Sequence, residues 1–251
     1  MHWSSPEQVP ALDAAHVHVW KASADELAVF TADFFLLLDA AERERHSRFH
    51  FERDAARFAV SHGLLRVLLA QYTGAEAAAL MVDQGPNGKP HLTSGPSFNL
   101  SHSGDAILLA IARDANVGVD VEQWSDRLGL GEMERLADHA FSKREQVALC
   151  ALQDVERAAA FYATWSRKEA YIKSTGIGIT QGLDHFDVSC NPRDAQLIAD
   201  RRADGNVQAW KLVDLTLEPG YSGALAVDRP QLDLHTLIVT PSLVSRLLSD
   251  G

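Results

Sequence analysis

Trp165-Ser-Arg-Lys-Glu-Ala-Tyr-Ile-Lys173 decides how the chain is read. Its spacing predicts one piece of helix. Trp165, Glu169 and Lys173 are four apart and share a face, with Lys168 and Ile172 on the neighbouring stripe. Ser174-Thr175-Gly176 should stop the helix, with Gly176 in the left-handed position past its end. Upstream stands Gly118-Val-Asp-Val-Glu122, where valines alternate with acids at the period of a strand. Asp120 and Glu122 then share one face, roughly 7 Å apart, and Val119 and Val121 take the other. Two carboxylates side by side repel unless a cation lies between them. Two or three carboxylates together with substrate phosphates commonly hold Mg²⁺. Glu169 is expected to bring the third carboxylate to Asp120 and Glu122. The plainer readings are a solvated strand face and a surface Glu–Lys pair.

The chain has 251 residues, enough for one large domain or two small ones. Hydrophobic residues at 46% and charged residues at 23% fit a soluble globular protein. No apolar run reaches the roughly 18 residues that span a bilayer. Residues 1–22 lack a basic stretch followed by an apolar core, so no signal peptide is expected and a cytoplasmic location is. Cys150 and Cys190, far apart, read as buried thiols in a reducing compartment. Acids outnumber bases 34 to 23, a formal charge of −11, which argues against nucleic-acid or anionic-membrane binding. A polyanionic substrate would need a local basic patch.

His16-Val-His-Val-Trp20 alternates as a strand, and strand packing explains its His pair better than a metal site. Ser23-Ala-Asp-Glu26 has the form of a capping box and predicts a helix through Leu38. Arg43, Arg45, Arg48, Arg53 and Arg57 follow in a charged region, as a solvated surface or as a phosphate clamp. A long helix is expected from Arg53 to Tyr72, ended by Gly74. Gly85-Pro-Asn-Gly-Lys-Pro90 is a turn with one lysine. In Phe98-Asn-Leu-Ser-His-Ser-Gly104, Ser101 and His102 point to opposite faces of an extended segment, which speaks against a hydrolase pair. Hydroxyls, an imidazole and backbone N–H groups in one turn suit an anion.

Ala106–Ala112 reads as an apolar strand, and Arg113-Asp-Ala-Asn116 as the boundary between halves 1–115 and 116–251. Ser142 and Glu145 fit a second capping box. Alternating runs at 186–189, 207–217, 221–227 and 234–239 precede a short helix after Pro241. Helices plus an antiparallel set of strands in each half make the chain α+β.

The ordered blocks Gly88-Lys89-Pro90, Phe98–Ser103, Gly118–Glu122, Phe141-Ser142 with Glu145, Trp165–Lys173 and Gly176-Ile-Gly178 resemble the 4′-phosphopantetheinyl transferases of the long, surfactin-synthetase-activating (Sfp) type. The resemblance runs over roughly residues 45 to 190. It implies a pseudo-dimer of two similar α+β halves with the active site at their interface. The N-terminal half would contribute contacts to coenzyme A, and the C-terminal half the metal site and catalytic helix. It implies transfer of phosphopantetheine from coenzyme A to a serine of an apo acyl or peptidyl carrier protein. It further implies that Mg²⁺ takes part and that adenosine 3′,5′-bisphosphate is released. A monomer is expected.

By position, Asp120, Glu122 and Glu169 match the metal carboxylates, and Lys173 matches the lysine on the pyrophosphate. Lys89, Ser101 and His102 match coenzyme A contacts. Arg57 matches a residue near the 3′-phosphate, and Arg45 falls at a second such position. Glu42, with Arg43 beside it, stands where the family has a further basic residue. Glu169 and Glu145 are rival acceptors for the serine proton. Two other readings stay open: a non-catalytic coenzyme A or nucleotide-binding module, and a metal-dependent coenzyme A phosphohydrolase.

Overall fold

The computed structural model of the chain describes residues 1–176, 182–202 and 205–249; for Val155 it describes the backbone alone. Ile177 and Gly178 of the last motif lie outside the described residues. The chain runs β1 (His16–Ser23), α1 (Thr31–Leu37), α2 (Ala40–Ser47), α3 (Glu52–Thr73), β2 (Val82–Gln84) and β3 (Pro90–Leu92). It continues through β4 (Ser97–Ser103), β5 (Ala106–Ala112), β6 (Val117–Gln123), α4 (Leu130–Ala140), α5 (Lys143–Cys150) and α6 (Asp154–Thr175). Then come β7 (Phe186–Val188), β8 (Leu197–Asp200), β9 (Lys211–Leu215), β10 (Tyr221–Val227), β11 (Asp233–Ile238) and α7 (Pro241–Ser249). The helices and sheets fall into two compact units, an α+β arrangement. No described helix is long and apolar enough to cross a membrane.

The first unit comprises His2–Asp83, Pro90–Asp114 and the chain from Asp233 on. Its sheet has the order β11-β1-β5-β4. β5 is buried along its whole length, which is why Ile107-Leu-Leu-Ala-Ile111 reads as an unbroken apolar run. Leu64, Leu68 and Leu69 of α3 pack with Trp20, Leu109 and Ile111 in one core. The sequence boundary placed everything from residue 116 on in the other half and expected antiparallel strands. Instead β11 lies parallel to β1, pairing Val17 with Leu234 and Val19 with Thr236, and so carries the C-terminus into this unit.

Ser23 does not open a helix through Leu38. It is still paired in β1, opposite Ala106, while its Oγ donates to Asp105 and accepts from the Glu26 N–H. The cap bond is there, but turns and a short 3₁₀ segment precede α1 at Thr31.

The second unit comprises Gln84–Lys89 and Ala115–Leu232. Its antiparallel sheet has the order β6-β10-β9, with β7-β8 as a separate pair. The run at 207–217 splits into a 3₁₀ turn at Val207–Ala209 and β9, and β8 carried no alternation strong enough to be expected. Ala170 of α6 packs with Ala224 and Ala226 of β10, small side chains that let the helix come close to the sheet. A second cluster joins Met133, Phe141, Phe161 and Tyr162. Cys190 is buried as expected, whereas Cys150 is exposed at the end of α5.

Candidate active site

α6 lies on β6 almost backbone to backbone. A Cβ on Gly118 would stand 2.1 Å from the Ala170 carbonyl oxygen and 2.4 Å from the Ser174 nitrogen, so only glycine fits. Side chains alternate along a strand, so the face of Gly118 is also that of Asp120 and Glu122. Both acids therefore point to the side covered by α6. Asp120 is 2% exposed and Glu122 half-buried, which rules out the solvated strand face.

From the helix, Lys173 Nζ donates to Asp120 Oδ1 at 2.6 Å. Glu169, one turn earlier, is 8% exposed. Burial, then the charge of Asp120, push its carboxyl above the usual range, against the pull of Lys173. The strand and helix thus bring Asp120, Glu169 and Lys173 together, with Glu122 on the same strand face. Among the described residues no three ligating side chains converge on one point. The donor set is nonetheless the right kind for Mg²⁺: hard carboxylate oxygens, one of them, on Glu169, raised in proton affinity by burial and then by the charge of Asp120.

The helix ends as read from the sequence. Gly176 has φ +65° and its N–H donates to Ile172 O. Lys89 does not extend into solvent. Its Nζ donates to Val117 O and Ser174 O, and beside it Asn87 Nδ2 donates to Gly176 O. Asn87 was missed by sequence reasoning; its one signal was its place in a Pro-Asn-Gly turn.

Glu145 is enclosed. Ser142 and Glu145 form both bonds of the capping box. The carboxylate also accepts from Lys168 Nζ and from the Val188 N–H. Lys168, read from the spacing as part of the neighbouring stripe, is fully buried, and so is Arg167. Arg167 forms a two-pronged pair with Asp214 and donates to Ser189 O.

Arg45, Arg57, Ser101 and His102 belong to the first unit. Ser101 and His102 are neighbours on β4, the first buried and the second exposed, as alternation requires. Arg57 holds Asp25 through one loose contact of 3.4 Å, and its Nε is buried with no acceptor among the described residues. Arg45 is exposed and lies over the Phe58 ring, 5.2 Å from its centroid. Glu42 is a structural hub that caps α2 with Asp39 and accepts from His62 Nδ1 at 3.0 Å and Arg66 Nε at 2.7 Å.

Residues 116–226 match the family model of the 4′-phosphopantetheinyl transferase superfamily, and residues 18–114 that of the 4′-phosphopantetheinyl transferase N-terminal domain. The chain belongs to this superfamily and is an enzyme of the transferase class. It is 31% identical over 216 residues to the 4′-phosphopantetheinyl transferase HetI of Nostoc sp., covering 84% of this chain and 87% of that one. It is 33% identical over 212 residues to the 4′-phosphopantetheinyl transferase psf-1 of Bacillus pumilus, covering 82% and 86%. It is 27% identical over 202 residues to the 4′-phosphopantetheinyl transferase Sfp of Bacillus subtilis, covering 78% and 85%.

Proposed function

We propose that this transferase moves the 4′-phosphopantetheine of coenzyme A onto a serine of an apo acyl or peptidyl carrier protein, with Mg²⁺. The observation that carries the reading is the burial of Asp120 and Glu169 on facing surfaces of β6 and α6, with Lys173 of the helix bonded to Asp120. Asp120, Glu122 and Glu169 would hold the ion. When bound, it neutralises charge on the pyrophosphate oxygens.

The serine Oγ attacks the phosphorus nearer the pantetheine, and a new Ser–O–P bond forms. The bond from that phosphorus to the bridging oxygen breaks, and adenosine 3′,5′-bisphosphate leaves with both electrons. Lys173 would be the cation that stabilises the leaving phosphate. Glu169, besides helping to hold the ion, would accept the serine proton. Glu145 is less suited, since both its oxygens already accept from Lys168 and backbone N–H groups.

In the first unit, the buried, unsatisfied Nε of Arg57 and the exposed imidazole of His102 support contacts to a coenzyme A phosphate. The exposed free thiol of Cys150 fits a reducing, cytoplasmic setting. The test is intact-mass spectrometry of an apo carrier incubated with the enzyme, coenzyme A and Mg²⁺. One added phosphopantetheine on one serine is expected. Bisphosphate release without carrier modification would mean a phosphohydrolase, and carriers of both kinds left unmodified without release would overturn the reading.

A further inference from the structure

Two donors from the turn at Gln84–Lys89 end on carbonyls at the C-terminus of α6, that of Ser174 in its last turn and that of Gly176 just past it. Lys89 Nζ donates to Ser174 O at 2.8 Å, and Asn87 Nδ2 to Gly176 O at 2.9 Å. These carbonyls have no partner within the helix and carry the negative end of its dipole, so a cation there is favourable. The same Nζ donates to Val117 O, the first residue of β6, at 3.0 Å. The lysine stem runs along Gly176, its Cδ 3.4 Å from where a Cβ would stand. One ammonium is therefore bonded to both β6 and α6, beside the backbone contact of Gly118 with Ser174. Val117 is three residues before Asp120, and Ser174 directly follows Lys173. Burial pushes the Lys89 ammonium down to about 8, against the attraction of Asp228. The two carbonyls favour its charged form.

We propose that Lys89 is a positioning residue for transfer, its ammonium pinning the last turn of α6 to the start of β6 and so setting Lys173 and Glu169 against Asp120. The proposal rests on the transferase reading of that carboxylate site. It gives Lys89 a task distinct from holding coenzyme A, because its ammonium is bonded to the protein's own carbonyls. Removing the tie should loosen the catalytic turn without weakening substrate binding.

The experiment compares wild type with Lys89→Met, which keeps the stem and loses the donors, and with Lys89→Arg, which restores charge and donors. Steady-state transfer to an apo carrier is read together with amide hydrogen exchange over residues 172–176. In Lys89→Met, kcat should fall roughly 10- to 100-fold, the scale of a slight misplacement of catalytic groups, while KM for coenzyme A stays within about threefold. Exchange of those amides should quicken, and Lys89→Arg should recover part of both effects. A raised KM with unchanged kcat and exchange would make Lys89 a substrate contact and overturn the proposal; so would no change in any readout. If Lys89→Met does not fold, Lys89→Gln, which keeps one donor, is judged by the same criteria. If wild type modifies no carrier, the proposed function fails on its own, and unchanged exchange in the variants then overturns the tie.

Discussion

Lys168 and Glu145 form an ion pair sealed from solvent, with Nζ 2.8 and 2.7 Å from the two carboxylate oxygens. Nζ also donates to Phe186 O at 2.8 Å. Burial lowers the lysine's proton affinity and Glu145 opposes that shift. The pair locks α5 to α6 one residue before Glu169. Removing one partner strands the other charge in the interior, which costs about 3–5 kcal/mol. Lys168→Met and Glu145→Gln should each show that loss in urea unfolding. The double variant should cost less than the sum. A Glu145→Gln protein of wild-type stability that has lost all transfer would instead make Glu145 the proton acceptor.

Asp120→Asn and Glu169→Gln keep size and change charge. Transfer should fall at least about 100-fold in each, the scale of losing one well-placed electrostatic group. Their circular dichroism should match wild type. Activity in either variant that recovers fully at saturating Mg²⁺ would confine its role to ion affinity.

Much of this site was legible because its signals are local. The capping box at Ser142 and Glu145, the stop at Gly176 and the alternation at Gly118–Glu122 each need only a few residues of context, and all three stand in the structure. What local pattern cannot show is which distant group answers a charge. Glu145 and Lys168 are 23 residues apart, and Lys89 reaches across 85 residues to Ser174. Ser23 illustrates the converse. Its cap bond to Glu26 forms, but strand pairing with Ala106 and capture by Asp105 claim the segment first. The parallel seat of β11 beside β1 is likewise a non-local choice with no signature in either strand alone.

Glu42 predicts an acid-sensitive hub. Burial raises its carboxyl, but the bonds from His62 and the Asp39 N–H, with the charge of Arg66, outweigh that and bring it down to about 2. An unfolded glutamate titrates at about 4.3. A depressed folded value contributes stability that is present above about 4.3 and lost as pH falls through about 2. Glu42→Gln should cost about 2–3 kcal/mol at neutral pH and flatten the stability curve across that window. Urea midpoints from pH 2 to pH 7 check both.

Arg57→Ala and His102→Ala should raise KM for coenzyme A by about tenfold to a hundredfold, the cost of a charge-assisted contact of about 1.5–3 kcal/mol. The increase for 3′-dephospho-coenzyme A should be much smaller. Equal increases for the two substrates would move these residues away from the 3′-phosphate.

Docking of the carrier should be insensitive to salt. Acyl and peptidyl carriers are usually acidic, and this chain carries a formal charge of −11. Long-range attraction cannot bring two acidic proteins together, and mutual repulsion slows their encounter when screening is weak. Contact must rest on local features. Phe141 lies in the core and Trp165 is half-buried, so neither gives a free apolar surface. The exposed face of α5 does, with Val147 at 71% exposure beyond Lys143 and Arg144, and no acidic side chain exposed on that helix. Two cations and an aliphatic side chain on one helix suit a small contact that forms only at close range. KM for the carrier should therefore hold steady or fall as salt rises from about 50 to about 200 mM, where the screening length shortens to less than about 10 Å. Val147→Asp should raise that KM and leave KM for coenzyme A unchanged. A steep rise of the wild-type carrier KM with salt would mean that charge steers the encounter, and would refute docking on this face by short-range contact.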